Sequence, residues 1–269
     1  MTEATDEFQA QKYGAGLLDH QIPQEEARLR ALESYLDPTT RSVITRLGIQ
    51  PGWRCLELGG GAGSVARWLA EQCAPGEVVG TDISTTLLPR DVPNLSVRRH
   101  DVVQEDFPAA SFDLVHARAL LEHLPERAEV LDKMARWTAP GGWVCVETVM
   151  AVQPPADTRD AYQRCLKAVF TLSETVMRTD QQWGTALPGL LSQAGLTDIG
   201  VHCTPGLVGR NGNADAFLQL SLEQIGPALV SRHLITPEEL TDCTNLLEGG
   251  DYTDLALMTL SAWGRRTHH

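Results

Sequence analysis

Apolar positions recur with two different periods along the chain. From Gln24, Leu29, Leu32 and Leu36 fall on one helical face, which predicts an amphipathic helix stopped by Pro38. Thr39 or Thr40 is suited to cap a second helix in which Val43, Ile44 and Leu47 face inward, with Gly48 at its C-terminal end. From Pro51 to about Met150 short apolar runs alternate with helix-like stretches, the pattern of βαβ units and a mostly parallel sheet. The predicted strands are 53–58, 78–81, 95–99, 112–116 and 143–148. Segments 64–73, 85–90 and 126–138 read as crossovers, the last ended by Pro140-Gly141-Gly142. Beyond Met150 the pattern changes: Pro154-Pro155 marks a linker and 161–176 and 187–194 read as helices. Two final strands follow at 199–203 and 255–263, separated by an unusually long helical connection over 214–247. Residues 1 to about 22 are polar and read as a mobile arm or short helices.

The expected fold class is therefore α/β, a seven-stranded mostly parallel sheet. Residues 1–50 form an N-terminal helical arm and 51–150 the core. Residues 151–195 supply an inserted helical lid and the last helix of the sheet layer, and 196–269 complete the same domain with strands and a helical insertion. A length of 269 residues suits one elaborated domain better than two. With 42% hydrophobic and 21% charged residues, the composition is that of an ordinary globular protein. Lys and Arg total 22 against 35 Asp and Glu, and the formal charge of −13 opposes the phosphate neutralisation on which nucleic-acid binding depends. Six widely spaced cysteines form no C-x-x-C pair, so the expectation is buried reduced thiols, with no metal site and no disulfide framework. The acidic, polar N-terminus lacks the form of a signal peptide, and no apolar run approaches the roughly 20 residues of a membrane span. A cytoplasmic location, no membrane partner, a small-molecule partner and a possible homodimer are the expectations.

The strongest chemical signal is Cys55-Leu56-Glu57-Leu58-Gly59-Gly60-Gly61-Ala62-Gly63-Ser64, an apolar strand running into a glycine cluster and then a helix. Backbone without side chains lets a ligand sit against the turn and the helix N-terminus. Two registers compete. Gly61, Gly63 and Ala66 fit the dinucleotide pattern G-x-G-x-x-G/A, which keeps an NAD(P)-dependent oxidoreductase open. Gly59, Gly61 and Gly63, with Glu57 two residues ahead, have instead the form acidic-x-G-x-G-x-G.

That second form resembles the first motif of the class I S-adenosylmethionine-dependent methyltransferases, and the resemblance continues in order and spacing through about residue 150. Asp82, in Thr81-Asp82-Ile83-Ser84, lies where the family's acidic residue holds the ribose hydroxyls; a carboxylate, acceptor only, suits a vicinal diol. Asp101-Val102 occupies the position that reads the adenine amino group. The segment from Phe112 to Leu124 looks like the fourth motif, with backbone near Ala117 and Arg118 approaching the methionine ammonium. The likeness is greatest to small-molecule methyltransferases of ubiquinone-biosynthesis and bacterial natural-product kinds. It implies a Rossmann-like core, S-adenosylmethionine as cofactor and transfer of its methyl group to a small molecule. It also implies a contact to the cofactor from the N-terminal arm, for which Tyr13 is the candidate. A protein of this fold that binds the cofactor without methyl transfer is the third alternative.

No catalytic base is assigned. His20, His202 and His233 lie in segments able to border a pocket, His116 sits inside a predicted buried strand, and His123 is better suited to fixing its loop. His268 and His269 are tail or tag residues. Tyr162, Phe170 and Trp183 are placed to cover an apolar acceptor or to form core.

Overall fold

In the computed structural model, which describes residues 23–150, 152, 158, 160–176, 178–180, 182–250 and 252–267, the two expected N-terminal helices are one. Helix α1 runs Pro23–Leu47 with Pro38 inside it. A proline lacks the N–H that would bond the carbonyl four residues back, here that of Ser34. Asn213 Nδ2 donates to that oxygen at 2.8 Å, so the bond lost within the helix is replaced from outside it. Asn213→Ala is expected to lower stability by about 1 kcal/mol; an unchanged urea midpoint would show that this contact carries nothing.

The sheet contains β1 (Cys55–Leu58), β2 (Val78–Asp82), β3 (Leu95–Arg99), β4 (Phe112–Arg118), β5 (Thr138–Met150), β6 (Leu196–Val208) and β7 (Asp254–Arg266). Its order is β3-β2-β1-β4-β5-β7-β6, the seven strands expected. The pairs β1–β2, β1–β4, β2–β3 and β4–β5 are parallel. Between β1 and β2 lies α2 (Ser64–Cys73), and between β4 and β5 lie a short 3-10 turn (Leu121–His123) and α3 (Arg127–Trp137). Residues 85–90, expected as a helical crossover, form no helix. Asp82 turns the chain there by accepting from the Ser84 N–H at 3.0 Å, and Pro89 interrupts any helical run.

Pro140-Gly141-Gly142, expected before the fifth strand, lies within β5. Phe112 pairs with Thr138 and Leu114 with Trp143, so the extra residues bulge. Gly141 takes the positive φ of 80° that this requires. The helix α3 has already ended at Trp137.

The chain divides into two compact units. The unit of Leu36–Val149, Gln182–Thr204 and the end of β7 carries the core of the sheet: Val43 and Ile44 of α1, Val65, Trp68 and Leu69 of α2, and Cys55, Val78, Leu114 and Cys145 from four strands. Helix α5 (Leu187–Gln193) belongs to it. In the other unit α4 (Ala161–Thr175), α6 (Asn213–Ser231) and α7 (Pro237–Gly249) pack on one another. The long helical connection is thus two helices, the second started by a capping box between Thr236 and Glu239 with Pro237 following. Tyr162 is buried there, its hydroxyl donating to the Leu255 carbonyl. Phe170 is buried as well.

All six cysteines are free, and five are buried as expected. Cys203 is exposed: it lies on β6, the edge of the sheet, where Val201 and Leu207 also face solvent. Among the described residues no helix is long and apolar enough to cross a membrane.

Candidate functional site

Strand order reverses between β1 and β4, since the chain moves outward through β2 and β3 on one side and through β5 on the other. In an open parallel sheet the loops at the carboxyl ends of two such strands part and leave a crevice. Here those loops are Gly59–Gly63 after β1 and Ala119–His123 after β4.

Three glycines of the first loop take backbone conformations that side chains disfavour. Gly59, Gly61 and Gly63 have φ of 65°, 55° and 90°. A Cβ on Gly63 would stand 2.3 Å from Pro89 Cδ, and one on Gly59 would stand 3.1 Å from the Leu120 side chain. Gly63 precedes the first turn of α2 without a side-chain cap, so the N-terminal end of that helix adjoins the loop. Asp82, at the end of β2, accepts from the Gly61 N–H (3.0 Å) with one carboxylate oxygen and from Ser84 with the other. Each oxygen keeps a second acceptor site. Ile83, next in the chain, is half-buried.

At the end of β3, Asp101 Oδ1 accepts from the Val103 N–H at 3.0 Å, and Val102 is buried. Lys133 of α3 fixes this loop by donating to the carbonyls of Val102, Val103 and Glu105 at 2.7–3.0 Å. Nothing in the sequence singled it out. His100 is buried on Phe107, ring centroids 4.6 Å apart, and burial lowers its pKa.

Ala117 and Arg118 end β4, and the side chain of Arg118 opens a polar chain through the interior. Its guanidinium donates to Asp37 (3.0 Å) and Thr40 (2.9 Å) of α1 and lies 3.4 Å from Ser64 Oγ. Ser64, first residue of α2, donates to the same Asp37 oxygen at 2.8 Å. The Thr40 hydroxyl donates to Glu147 of β5, as does Ser261 of β7. His116 lies between Glu147 (3.3 Å) and Glu57 (2.5 Å). Glu57, expected near the cofactor, therefore has its carboxylate inside the sheet against an imidazole. Burial alone pushes the His116 pKa down, but the charge of Glu57 and hydrogen bonds to Glu147 and Glu57 outweigh it and hold the ring at about 9. Glu147 is pushed up by burial yet held below the usual carboxylate range by His116, Arg118 and Ser261. His116 is thus a buried imidazolium between two carboxylates. The buried histidine was expected; its partners, on neighbouring strands, were not.

The second loop opens on Ala119, a non-glycine residue at φ 50° whose N–H donates to the Glu147 carbonyl. Such a conformation is costly and is held by its surroundings. Glu122 in the following 3-10 turn is buried, and its Oε2 has no partner. Burial pushes this carboxyl up to about 7, against hydrogen bonds from its own N–H, Thr148 and Val149 and the charge of Arg127. Trp183, also buried, donates from Nε1 to Thr148 Oγ1 at 3.2 Å.

Of the remaining candidates, Tyr13, His20, His268 and His269 lie outside the described residues. His233 is exposed in the turn after α6, and His202 is half-buried on the edge strand. Among the described residues no group of three or more His, Cys, Asp or Glu is placed to hold a metal ion.

Residues 27–197 match the model of a methyltransferase domain family. Methyltransferase str3 of Strobilurus tenacellus is 31% identical over 160 residues, covering 55% of this chain and 55% of that protein. A ubiquinone biosynthesis O-methyltransferase of Paracidovorax citrulli is 32% identical over 142 residues, 49% of this chain and 58% of the other. The chain spans about half the length of the curated relatives it matches. A solved structure, phosphoethanolamine N-methyltransferase 2 of Haemonchus contortus in complex with S-adenosyl-L-methionine, shares the fold. Its TM-score is 0.61 at 16% identity, covering 94% of this chain and 60% of that one.

Proposed function

Because the chain belongs to the methyltransferase domain family, whose model spans residues 27–197, we propose that it transfers the methyl group of S-adenosylmethionine to a small-molecule acceptor. The observation that carries this reading is the pairing of Asp82 with the glycine turn: its carboxylate braces Gly61 and still has lone pairs free for two hydroxyls. A ribose diol fits that pattern, and the glycine turn beside it is held in place by the close packing of Gly63 against Pro89. Asp101 and Val102 stand ready for an adenine edge. The backbone at Ala117 and Arg118 ends β4 beside the crevice, placed for the methionine moiety. Arg118 and Glu57 serve through the polar chain that fixes both ends of the glycine loop.

When bound, the cofactor supplies an electrophilic methyl on a positively charged sulfur. The protein contributes position, which is worth up to about 7–11 kcal/mol in well-held reactants. The partial matches to str3 and to a ubiquinone biosynthesis enzyme support a metabolite of biosynthetic origin as acceptor. The charge of −13 supports a small molecule over a nucleic acid. We place the protein in the cytoplasm, with a homodimer as one expected state.

Calorimetric titration tests the reading. S-adenosylhomocysteine is expected to bind at about micromolar strength, and Asp82→Asn to weaken it about 10–100-fold through loss of a charged acceptor, about 1.5–3 kcal/mol. Binding of NADH in place of the adenosyl ligand would return the loop to its dinucleotide register.

A further inference from the structure

We propose that Glu122 is a catalytic residue, the general base that takes the proton of a hydroxyl-bearing acceptor; this rests on the methyl-transfer reading above. Glu122 stands on the loop after β4, one wall of the crevice, two residues beyond the Leu120 side chain that lies against Gly59 of the other wall. Among the described residues its Oε2 is the one buried carboxylate oxygen without a partner. The rest of the group is held. Trp183 Nε1 occupies a lone pair of the Thr148 hydroxyl, which turns the hydroxyl hydrogen toward Glu122, and the Val149 N–H adds a second bond. A buried acceptor left open while its neighbours are tied down is the exception that a functional role explains.

The charged group that faces it is Arg127 of α3, while β5 and the Trp183 turn present neutral donors. With burial the dominant influence, the carboxyl is held at about 7, where a group both accepts and releases protons at neutral pH. A hydroxyl is the acceptor such a base serves. A carboxylic acid is already ionised, and an ammonium would set a second cation beside the sulfonium. In the step, the acceptor O–H bond breaks and its proton passes to Oε2. The electron pair left on oxygen forms the bond to the methyl carbon, and the pair of the methyl–sulfur bond stays on sulfur. One anion and one cation become two neutral groups.

The test follows the Glu122 carboxyl by carbon NMR of glutamate-labelled full-length protein saturated with S-adenosylhomocysteine, the signal being identified by its loss in Glu122→Gln. It is expected to titrate at about pH 7 and to move when catechol or caffeate is added. A signal that stays flat, titrates in the ordinary carboxylate range or ignores both phenols overturns the proposal. With a phenol that is methylated, Glu122→Gln is expected to lose about 10²–10⁴-fold in kcat with KM changed by less than about threefold, and to lose the rise of rate through neutral pH. Retention of kcat also overturns it. Calorimetry separates the two readings: Glu122→Gln binding S-adenosylhomocysteine as wild type does while kcat falls supports both, whereas failure of wild type to bind it removes the cofactor reading itself.

Discussion

Replacing His116 by alanine is expected to cost about 3–5 kcal/mol, the loss seen when one partner of a buried ion pair is removed and the others stay charged in the interior. The imidazolium lies between Glu57 and Glu147, Arg118 is the second cation that acts on Glu147, and both carboxylates are buried. The pH dependence follows with a definite sign. His116 in the folded protein sits at about 9 against an ordinary 6.5, so the folded state holds the proton more tightly. Its contribution, about 3 kcal/mol, is complete below pH 6.5 and drains away as the pH rises through 9. In His116→Ala the imidazolium is gone and Arg118 alone remains as a cation beside Glu147, so the loss of stability as the pH rises through 9 is expected to disappear. Urea unfolding of both proteins from pH 5 to 9 distinguishes these profiles. A wild-type stability that stays level from pH 6.5 to 9 would falsify the charged state of the ring.

Gly63→Ala is expected to lower stability by about 2–4 kcal/mol, combining a left-handed backbone that alanine disfavours with an overpacked contact. It should also weaken S-adenosylhomocysteine by at least about tenfold. The Cβ would lie 2.3 Å from Cδ of Pro89, and a proline ring cannot swing aside as a long side chain can. Gly189 in α5 is the control, because a Cβ there meets nothing within 4 Å. Gly189→Ala should stabilise by about 0.5–1 kcal/mol through helix propensity alone. If thermal melts show both variants shifting alike, the glycine loop is not constrained as described.

Much of the site could be read from the chain because its parts are local. A strand, a glycine turn and a helix start are contiguous in Cys55–Ser64, and Asp82 sits at the end of a short apolar run. What could not be read depends on lateral register. Glu57, His116 and Glu147 meet because β4 lies between β1 and β5 and pairs Glu57 with His116 and His116 with Cys145, two residues before Glu147. No periodicity within one strand encodes that. Pro38 was expected to end a helix by a rule that holds when the orphaned carbonyl finds only water; Asn213, 179 residues from Ser34 in sequence, removes the reason. Glu122 is hidden in the sequence for a different cause. A histidine is a base near neutral pH by its ordinary pKa, whereas a glutamate becomes one only through burial, which the residues Leu121-Glu122-His123 do not announce.

The exposed thiol of Cys203 makes the folded protein selectively addressable. The other five sulfur atoms are shut in the interior, so a maleimide dye or spin label added under native conditions reports one position on the edge strand, without prior mutagenesis. The same geometry carries a handling consequence. In air, two chains can join through this residue, and a covalent pair that vanishes on adding reductant must be subtracted before any species of twice the mass is credited to assembly.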